Sequence, residues 1–321
     1  MKRFVIASLF IGLSLTALVI GISCSSQTPN AALTAPVQTI SAINPTYTST
    51  CTNTPTQTAT PTPQFPVTGF NGPYALAIDS KNNIYVGDTG NNLVKQYVNG
   101  FVSAWPSGKS KSAAGLSYTS PKAIAADSLG NIYVVGSGSV VSKYDANGNL
   151  VTTYAASMSS NLSGVAVNSA STTLYVSDTG NSQIVSIALP AGGLNGGFGT
   201  SGKLTTAYVP YGLAVDTTGR LYAAGTDNNV HIYTSAGANA SPATVPGFNQ
   251  PYAVALDASN NLFVSDTSNG QIEEFNVGGL TGSPSNIIGK GTLSIPEGIA
   301  LDSSANVYVV DSGNGSLYQF P

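Results

Sequence analysis

Side chains capable of metal or nucleophilic chemistry are scarce in this chain of 321 residues. His231 is the only histidine, and Cys24 and Cys51 are the only cysteines. A tetrahedral zinc site needs three or four such ligands, so the side chains for a usual zinc site are missing. The sequence also lacks a Gly-x-Ser-x-Gly nucleophile motif and a complete phosphate-binding loop. No catalytic constellation is visible, and we expect a binding protein rather than an enzyme.

Aspartate is the side chain that recurs with regular spacing, and it does so in two settings. The first set ends an apolar run: Asp79, Asp127, Asp216, Asp257 and Asp302. The second set follows another apolar run and precedes Thr or Ser: Asp88, Asp178, Asp266 and Asp311. A short carboxylate at such a point accepts backbone amide hydrogen bonds across a tight turn. Both sets therefore predict turns rather than catalysis.

The aspartates belong to a repeat. One pattern gives PYALAID (73–79), PKAIAAD (121–127), LSGVAVN (162–168), PYGLAVD (210–216), PYAVALD (251–257) and PEGIALD (296–302), at intervals of about 41 to 48 residues. Each copy is followed by a second apolar run, such as NIYVGD or NLFVSD, then a polar turn and a third run. Periodicity of this length is typical of a propeller or a solenoid.

The composition of the runs decides between these two architectures. They are four to six residues long, rich in Val, Ile, Leu and Tyr, and no amphipathic helical stretch occurs among them. Four short strands fit each repeat, so each copy predicts one blade. The sequence therefore predicts an all-β, six-bladed β-propeller.

The motif itself resembles a known repeat. Pro-x-Gly-apolar-Ala-apolar-Asp followed by Tyr-Val-x-Asp-Thr-Gly-Asn is similar to the NHL repeat, and the resemblance covers residues 65–321. A WD40 propeller is disfavoured because Trp105 is the only tryptophan.

Ring closure is predicted from the ends of the repeat region. The sixth copy ends at its third strand, SLYQF, so its fourth strand must come from elsewhere. The one unassigned extended segment is residues 64–68. We expect this segment to close the last blade of a domain spanning 64–321, which removes an exposed sheet edge.

A ligand site is predicted where the innermost strands begin. In propellers like those that the repeat resembles, the residue after the repeat's proline stands at the entrance of the central channel. That position changes from blade to blade: Tyr74, Lys122, Ser163, Tyr211, Tyr252 and Glu297. Tyrosines suit stacking, and one cation and one anion can orient a partner. We name these six residues the channel-entrance ring; free variation of exposed residues is the alternative explanation.

Enzymatic propellers provide the main alternative. The architecture is similar to that of lactone and ester hydrolases with a channel calcium, an amidating lyase and a streptogramin lyase. Calcium needs several converging oxygen ligands, and only Glu297 among the acidic residues falls at the channel entrance. His231 is predicted to lie on a third strand, at the place of Lys95, Ser142 and Glu273, away from the axis. We expect no cofactor, with calcium as the possible exception, and no metal site.

The first 63 residues predict export. Lys2 and Arg3 precede an apolar run, and residues 21–24 read Gly-Ile-Ser-Cys. This ending resembles the lipobox of bacterial lipoproteins, which implies a signal peptide over 1–24 and a lipid on Cys24. A retained membrane anchor and ordinary secretion are the alternatives. Residues 25–63 carry no charge and are rich in Thr, Ser and Pro, which predicts a disordered tether.

Charge narrows the class of partner. Without Lys2 and Arg3 the chain has nine basic and fourteen acidic residues, and 8% of all its residues are charged. Nucleic acid recognition needs a cationic surface, which this composition does not provide. We therefore expect a monomer of the cell envelope that binds an extracellular protein or carbohydrate and meets the membrane only through Cys24. A lyase or lactone hydrolase with a channel cation and a ligand-free scaffold stay open.

Overall fold

The computed structural model describes residues 65–98, 100–105 and 120–321. Within these residues the chain forms six antiparallel sheets of four strands each. Inner strands of neighbouring sheets contact one another around a closed ring, including the first and the last. The six-bladed, all-β propeller predicted from the repeats is confirmed.

The strands follow one another from the channel outward in each blade. β1 (Val67–Thr68) precedes blade 1, which contains β2 (Pro73–Ile78), β3 (Ile84–Asp88), β4 (Leu93–Val98) and β5 (Phe101–Trp105). Blade 2 contains β6 (Ala123–Ala126), β7 (Ile132–Val135), β8 (Val141–Tyr144) and β9 (Leu150–Tyr154). Blade 3 contains β10 (Gly164–Val167), β11 (Thr173–Asp178), β12 (Gln183–Ala188) and β13 (Lys203–Thr205).

The second half of the ring repeats the order. Blade 4 contains β14 (Pro210–Val215), β15 (Leu221–Gly225), β16 (Asn229–Tyr233) and β17 (Asn239–Pro246). Blade 5 contains β18 (Pro251–Leu256), β19 (Leu262–Asp266), β20 (Gln271–Phe275) and β21 (Asn286–Ile288). Blade 6 contains β22 (Pro296–Leu301), β23 (Val307–Asp311) and β24 (Ser316–Phe320). Short 3-10 turns at Thr89–Asn91, Thr179–Asn181 and Thr267–Asn269 join second to third strands.

The hydrophobic core is divided among the blade interfaces. Six buried clusters each combine apolar side chains from two neighbouring blades. The second strand of each blade packs on both sides, and all five residues of β3 are buried, which is why these strands read as continuous apolar runs. Burial of this apolar surface between blades holds the ring together.

The first described strand completes the last blade. β1 pairs antiparallel with β24, with Val67 opposite Leu317 and Thr68 opposite Ser316. The ring of Phe65 packs against Tyr97 of blade 1 at 5.4 Å and Tyr308 of blade 6 at 5.7 Å between centroids. The segment therefore joins blades 6 and 1 by both backbone pairing and aromatic packing.

The first set of aspartates closes the turns between first and second strands. Asp79 accepts hydrogen bonds from the backbone N–H groups of Lys81 and Asn83, both at 2.9 Å. The Tyr85 hydroxyl donates to the other carboxylate oxygen at 3.1 Å. Equivalent backbone bonds occur at the other members, Asp127, Asp216, Asp257 and Asp302. The predicted turn role of this set is confirmed.

The second set of aspartates connects two loops rather than closing one turn. Asp88 accepts from the backbone N–H of Asn71, ahead of the inner strand, at 2.6 Å and from the Asn91 side chain at 2.8 Å. Asp266 does the same with Asn249 and Asn269. These buried carboxylates thus fix the loop that leads into the inner strand, at the face where the channel-entrance ring lies.

The predicted signal peptide, lipidation site and tether fall in residues 1–63, outside the described residues. Among the residues that the structure does describe, no helix has the length and apolar character required to cross a membrane.

Candidate functional site

Four of the six channel-entrance residues sit at a bulge in the inner strand. In blades 1, 4, 5 and 6 the register between first and second strands shifts just after the proline, at Pro73, Pro210, Pro251 and Pro296. A bulge places an extra residue on one strand and changes the direction of its side chain. Tyr74, Tyr211, Tyr252 and Glu297 all follow these prolines. Lys122 and Ser163 directly precede the inner strands β6 and β10, and their backbone N–H groups donate to the carbonyl oxygens of Val135 and Ser177.

Close approach of the inner strands explains the small residue that follows each ring position. A Cβ added at Gly212 would lie 2.7 Å from the Cα of Ala253 and 2.7 Å from the carbonyl oxygen of Tyr252. Contacts that short do not occur without backbone movement, so neighbouring inner strands leave no room for a larger side chain. A large side chain can therefore stand at the ring position, such as Tyr211, but not at the residue after it, such as Gly212.

Three tyrosines of the ring form one cluster across the channel entrance. The rings of Tyr211 and Tyr252 stack at 5.1 Å between centroids with planes 24° apart. Tyr74, from blade 1, meets Tyr252 edge-on at 5.7 Å. Tyr252 is thus the central member of a cluster that draws on blades 1, 4 and 5. Packing of this kind holds the rings in fixed positions.

Two cavities flank the tyrosine cluster. The first, the Glu297 pocket, has a volume of about 450 Å³ and is lined by Tyr211, Thr226, Gln250, Tyr252, Thr267, Ser268, Ser294, Ile295 and Glu297. The second, the Lys122 pocket, has about 420 Å³ and is lined by Tyr74, Thr89, Ser120, Lys122, Ser137, Asn161, Ser163, Thr179, Tyr211 and Tyr252. A third cavity, lined by inner-strand residues such as Ala75, Ala123 and Val254, has a volume of only about 70 Å³. A ligand therefore has space at the entrance rather than inside the channel.

Glu297 is a buried acid with an unusual pKa. Its side chain is 6% exposed, and Oε2 has no hydrogen-bond partner. Burial raises the pKa of Glu297 to about 7, and nearby Asp311 adds to the effect, although the hydroxyls of Ser312 and Tyr74 favour the ionised form. The negative charge of Glu297, followed by burial, in turn raises the pKa of Tyr74. Perturbed acids in pockets mark candidate functional sites.

Lys122 and Ser163 belong to the opposite pocket. The Lys122 ammonium donates to the Asn161 side-chain oxygen at 3.0 Å, and no carboxylate of the described residues lies within 4.0 Å of it. Ser163 is buried, and its backbone N–H donates to Ser177. The structure thus separates the acidic member of the ring from the basic one, with the tyrosines between them.

His231 lies on β16 and lines neither pocket. Its Nε2 is 2.9 Å from an Asp227 oxygen, and its ring stacks on Tyr208 at 3.8 Å between centroids. The side chain is half-buried and engaged in these two contacts. Among the described residues, no three His, Cys, Asp or Glu side chains come together in a way that could hold a metal ion.

Several pocket residues were missed by the sequence reasoning. Thr226, Thr267 and Ser268 lie in turns between second and third strands, while Gln250 and Ser294 lie in loops that enter inner strands. Both kinds of loop meet at the same face. An alignment of the turn after each second strand identifies Thr226, Thr267 and Ser268, and an alignment of the residues ahead of each inner strand identifies Gln250 and Ser294.

Comparison with known families supports the repeat assignment. Residues 70–97 match the NHL repeat family, and residues 113–140 match SBBP, a beta-propeller repeat family. None of the curated protein sequences compared with the chain matches it. Repeats of the NHL and beta-propeller type are therefore present in a six-bladed propeller.

Solved structures share the fold at low sequence identity. A streptogramin B lyase superposes with a TM-score of 0.55 at 13% identity, covering 78% of this chain and 84% of that one. A catalytically inactive virginiamycin B lyase from Staphylococcus aureus with quinupristin gives 0.55 at 14% identity, covering 79% and 97%. A protein of unknown function from Bacteroides thetaiotaomicron gives 0.58 at 14%, covering 78% and 69%. At these identities the likeness concerns the fold alone.

Proposed function

We propose that this chain is an exported glycan-binding propeller, held at the cell envelope through Cys24, whose channel entrance binds a carbohydrate chain. The observation that carries the proposal is the tyrosine cluster of Tyr74, Tyr211 and Tyr252 between two cavities of about 450 and 420 Å³. Flat rings that are fixed by mutual packing offer the apolar face on which the C–H groups of a sugar can stack.

The residues that line the cavities favour a carbohydrate ligand over a protein partner. Beside the rings, the Glu297 pocket presents mainly Thr, Ser and Gln side chains, whose hydroxyl and amide groups can both donate and accept hydrogen bonds. A protein partner would need about 800 Å² of surface on each side. Concave pockets with a few polar groups are instead typical of sites for small or chain-like ligands.

An enzymatic role is the second candidate. Solved structures that share the fold include streptogramin and virginiamycin B lyases, and Glu297, with its pKa raised to about 7, has the property of a general base near neutral pH. A lyase or lactone hydrolase would use the same Glu297 pocket, so the binding experiment is the first step for both candidates.

A glycan array tests the proposal. The propeller domain, residues 64–321, is applied as wild type and as a variant with Tyr74, Tyr211 and Tyr252 replaced by alanine. We expect binding to a defined group of glycans that the variant loses by at least about tenfold, since burial of one large apolar side chain against a ligand contributes roughly 1.5–3 kcal/mol. A variant with Phe101→Ala and Val102→Ala serves as control, because it removes exposed apolar surface from β5 only.

The outcomes are distinct. Equal glycan binding by wild type and tyrosine variant, with melting temperatures that agree, would contradict the proposal. An array without any bound glycan, together with capture of a peptide ligand that needs the tyrosines, would assign the same face to a protein partner and reject the glycan.

A further inference from the structure

The Lys122 pocket has a cation but no acid. Lys122 is the only charged side chain among its lining residues, which are otherwise Ser, Thr, Asn and Tyr. No ion pair of the described residues involves Lys122. Asp88 and Asp178, which end the second strands of blades 1 and 3, already bind Lys95 and the Ser159 hydroxyl, respectively. The pocket therefore carries one positive charge that no carboxylate of its lining balances.

A hydrogen bond to Asn161 holds the Lys122 ammonium at the wall of the pocket. Nζ donates to the Asn161 side-chain oxygen at 3.0 Å, and both residues line the cavity. Asn161 is exposed and Lys122 is half-buried, so the bond lies where a ligand can reach it. It uses one of the three donors of the ammonium group, and Nζ has no other partner among the described residues. Two N–H groups thus stay available to a ligand.

The same hydrogen bond makes the Asn161 side chain a donor towards the pocket's contents. A lysine can only donate, so the amide must turn its oxygen towards Nζ, which leaves its NH₂ group free to donate elsewhere. The hydroxyls of Ser137 and Ser163, which have no side-chain partner in the described part of the chain, belong to the same lining. Several donors beside one positive charge are the combination that binds an anionic group.

Two threonines of the pocket suit the hydroxyl groups of a sugar. Thr89 Oγ1 donates to the carbonyl oxygen of Pro121 at 2.5 Å, and Thr179 Oγ1 donates to that of Pro210 at 3.0 Å. Because their hydrogens are used in these bonds, the two hydroxyl oxygens can only accept from a ligand. All three rings of the tyrosine cluster line the same pocket. One cavity thus combines a stacking surface, acceptors for hydroxyl groups and donors for an anion.

We propose that the Lys122 pocket binds the negatively charged group of an acidic sugar, the carboxylate of a uronic acid or a sulfate ester, with Lys122 as its ionic anchor. The inference rests on the proposed function, because it names the class of glycan for the same face. A single lysine matches a singly charged group, whereas a phosphate monoester carries about 1.5 to 2 negative charges at pH 7. A neutral sugar would leave the charge of Lys122 unpaired, so the pocket distinguishes acidic from neutral glycans.

Two pairs of oligosaccharides that differ only in charge test the inference and identify the anion. The first pair is tetragalacturonate and its fully methyl-esterified form, and the second is a sulfated κ-carrageenan tetrasaccharide and its desulfated form. Isothermal titration at pH 7 and low ionic strength measures the affinity of wild type for all four. We expect at least about tenfold tighter binding of the acidic member in at least one pair, the effect of one charge-assisted hydrogen bond. The pair that shows the preference tells a carboxylate from a sulfate.

Three variants assign the preference to Lys122. Lys122→Met keeps the length of the side chain without its charge, so the preference should fall below about twofold while affinity for the neutral member changes little. Lys122→Arg keeps the charge and should retain the preference. Lys81→Met is the matched control, because it removes an equal charge from an exposed turn of blade 1 outside both pockets, and it should behave as wild type. Added salt should weaken binding of the acidic member only.

Three results would overturn the inference. They are the absence of a preference in both pairs, a preference that persists in Lys122→Met, and a glycan array on which wild type binds only neutral glycans. This last result removes the acidic sugar and leaves glycan binding intact. Absence of all glycan binding would instead reject the proposed function together with the inference.

Discussion

Acidic side chains occupy two contrasting regions of this propeller, the corners of the blades and the channel entrance. At the corner of blade 4, Asp216 is 2% exposed and accepts hydrogen bonds from the backbone of Thr218 and Arg220 and from the Arg220 side chain. At the entrance, Glu297 is 6% exposed and its Oε2 accepts none. The two acidic residues are buried to nearly the same extent, but the Asp216 carboxylate accepts more hydrogen bonds than the Glu297 carboxylate does.

The pKa values show what the difference means. Burial opposes ionisation of Asp216, yet the hydrogen bonds from Thr218 and Arg220 outweigh it, so its pKa lies below the ordinary value. The same balance lowers the pKa of Asp302, with donors from Asn306 and Ser304. At Glu297 burial prevails, and the pKa rises to about 7. At the corners, the hydrogen bonds from several donors outweigh burial, whereas at Glu297 the hydroxyls of Ser312 and Tyr74 do not.

The largest expected effect comes from removing a corner acid. Asp216→Ala should lower the free energy of unfolding by about 3–4 kcal/mol, because it leaves the Arg220 guanidinium and several buried donors without an acceptor. Urea denaturation at pH 7 measures the loss. Asp227→Ala is the matched control, since Asp227 pairs with His231 but its side chain is 39% exposed; it should cost less than about 1 kcal/mol. Equal losses in the two variants would contradict the structural assignment of the corners.

A smaller effect is expected from the pH dependence of stability at the entrance. The folded pKa of Glu297 is raised above its ordinary value of 4.5, so the folded protein holds this proton more tightly than the unfolded chain does. The stabilisation is complete below about pH 4.5 and is lost as the pH rises towards 7. Wild type should therefore lose about 3 kcal/mol relative to Glu297→Gln between pH 4.5 and pH 8.

Urea denaturation of both proteins at these pH values measures this difference. Asp216 and Asp302 act in the opposite direction, because their lowered pKa values are linked to stability that is lost only under more acidic conditions. Parallel profiles for wild type and Glu297→Gln would show that the entrance acid is compensated like the corners.

The smallest effect concerns single hydroxyl groups. The Tyr133 hydroxyl donates to Asp127 at 3.1 Å in the buried corner of blade 2. Tyr133→Phe should cost about 1 kcal/mol, the net value of one such hydrogen bond. Tyr97→Phe is the control, because the Tyr97 hydroxyl is buried without a partner among the described residues, and its removal should be neutral or slightly stabilising. Thermal unfolding compares the two, and a loss of the same size in Tyr97→Phe would refute the distinction.

The repeat made the fold predictable, because six copies in register specify the strands, their order and the number of blades. The first set of corner aspartates was predictable for the same reason, since turn chemistry is local. Blade 5 shows the limit of that logic, because Phe263 stands where other blades have a tyrosine, and Asp257 relies on backbone and Asn261 donors alone.

The arrangement at the entrance could be predicted only in part. The sequence indicates which residue of each blade stands at the channel, but it does not give distances across the ring. The contact between Tyr74 and Tyr252 joins residues 178 positions apart through side-chain directions that bulges determine. In blades 2 and 3 the inner strands begin at Ala123 and Gly164, directly after the ring residue. The separation into an acidic and a basic pocket reflects the places of Glu297 in blade 6 and Lys122 in blade 2.

The pairing of Val67 and Thr68 with β24 also has a mechanical consequence. Tension applied to the chain ahead of Phe65 would act first on two residue pairs and on the rings of Phe65, Tyr97 and Tyr308. These contacts form the outer part of the junction between the first and the last blade, which also contains the apolar cluster of blades 1 and 6. Under load, β1 should detach from β24 before any of the blade junctions separates.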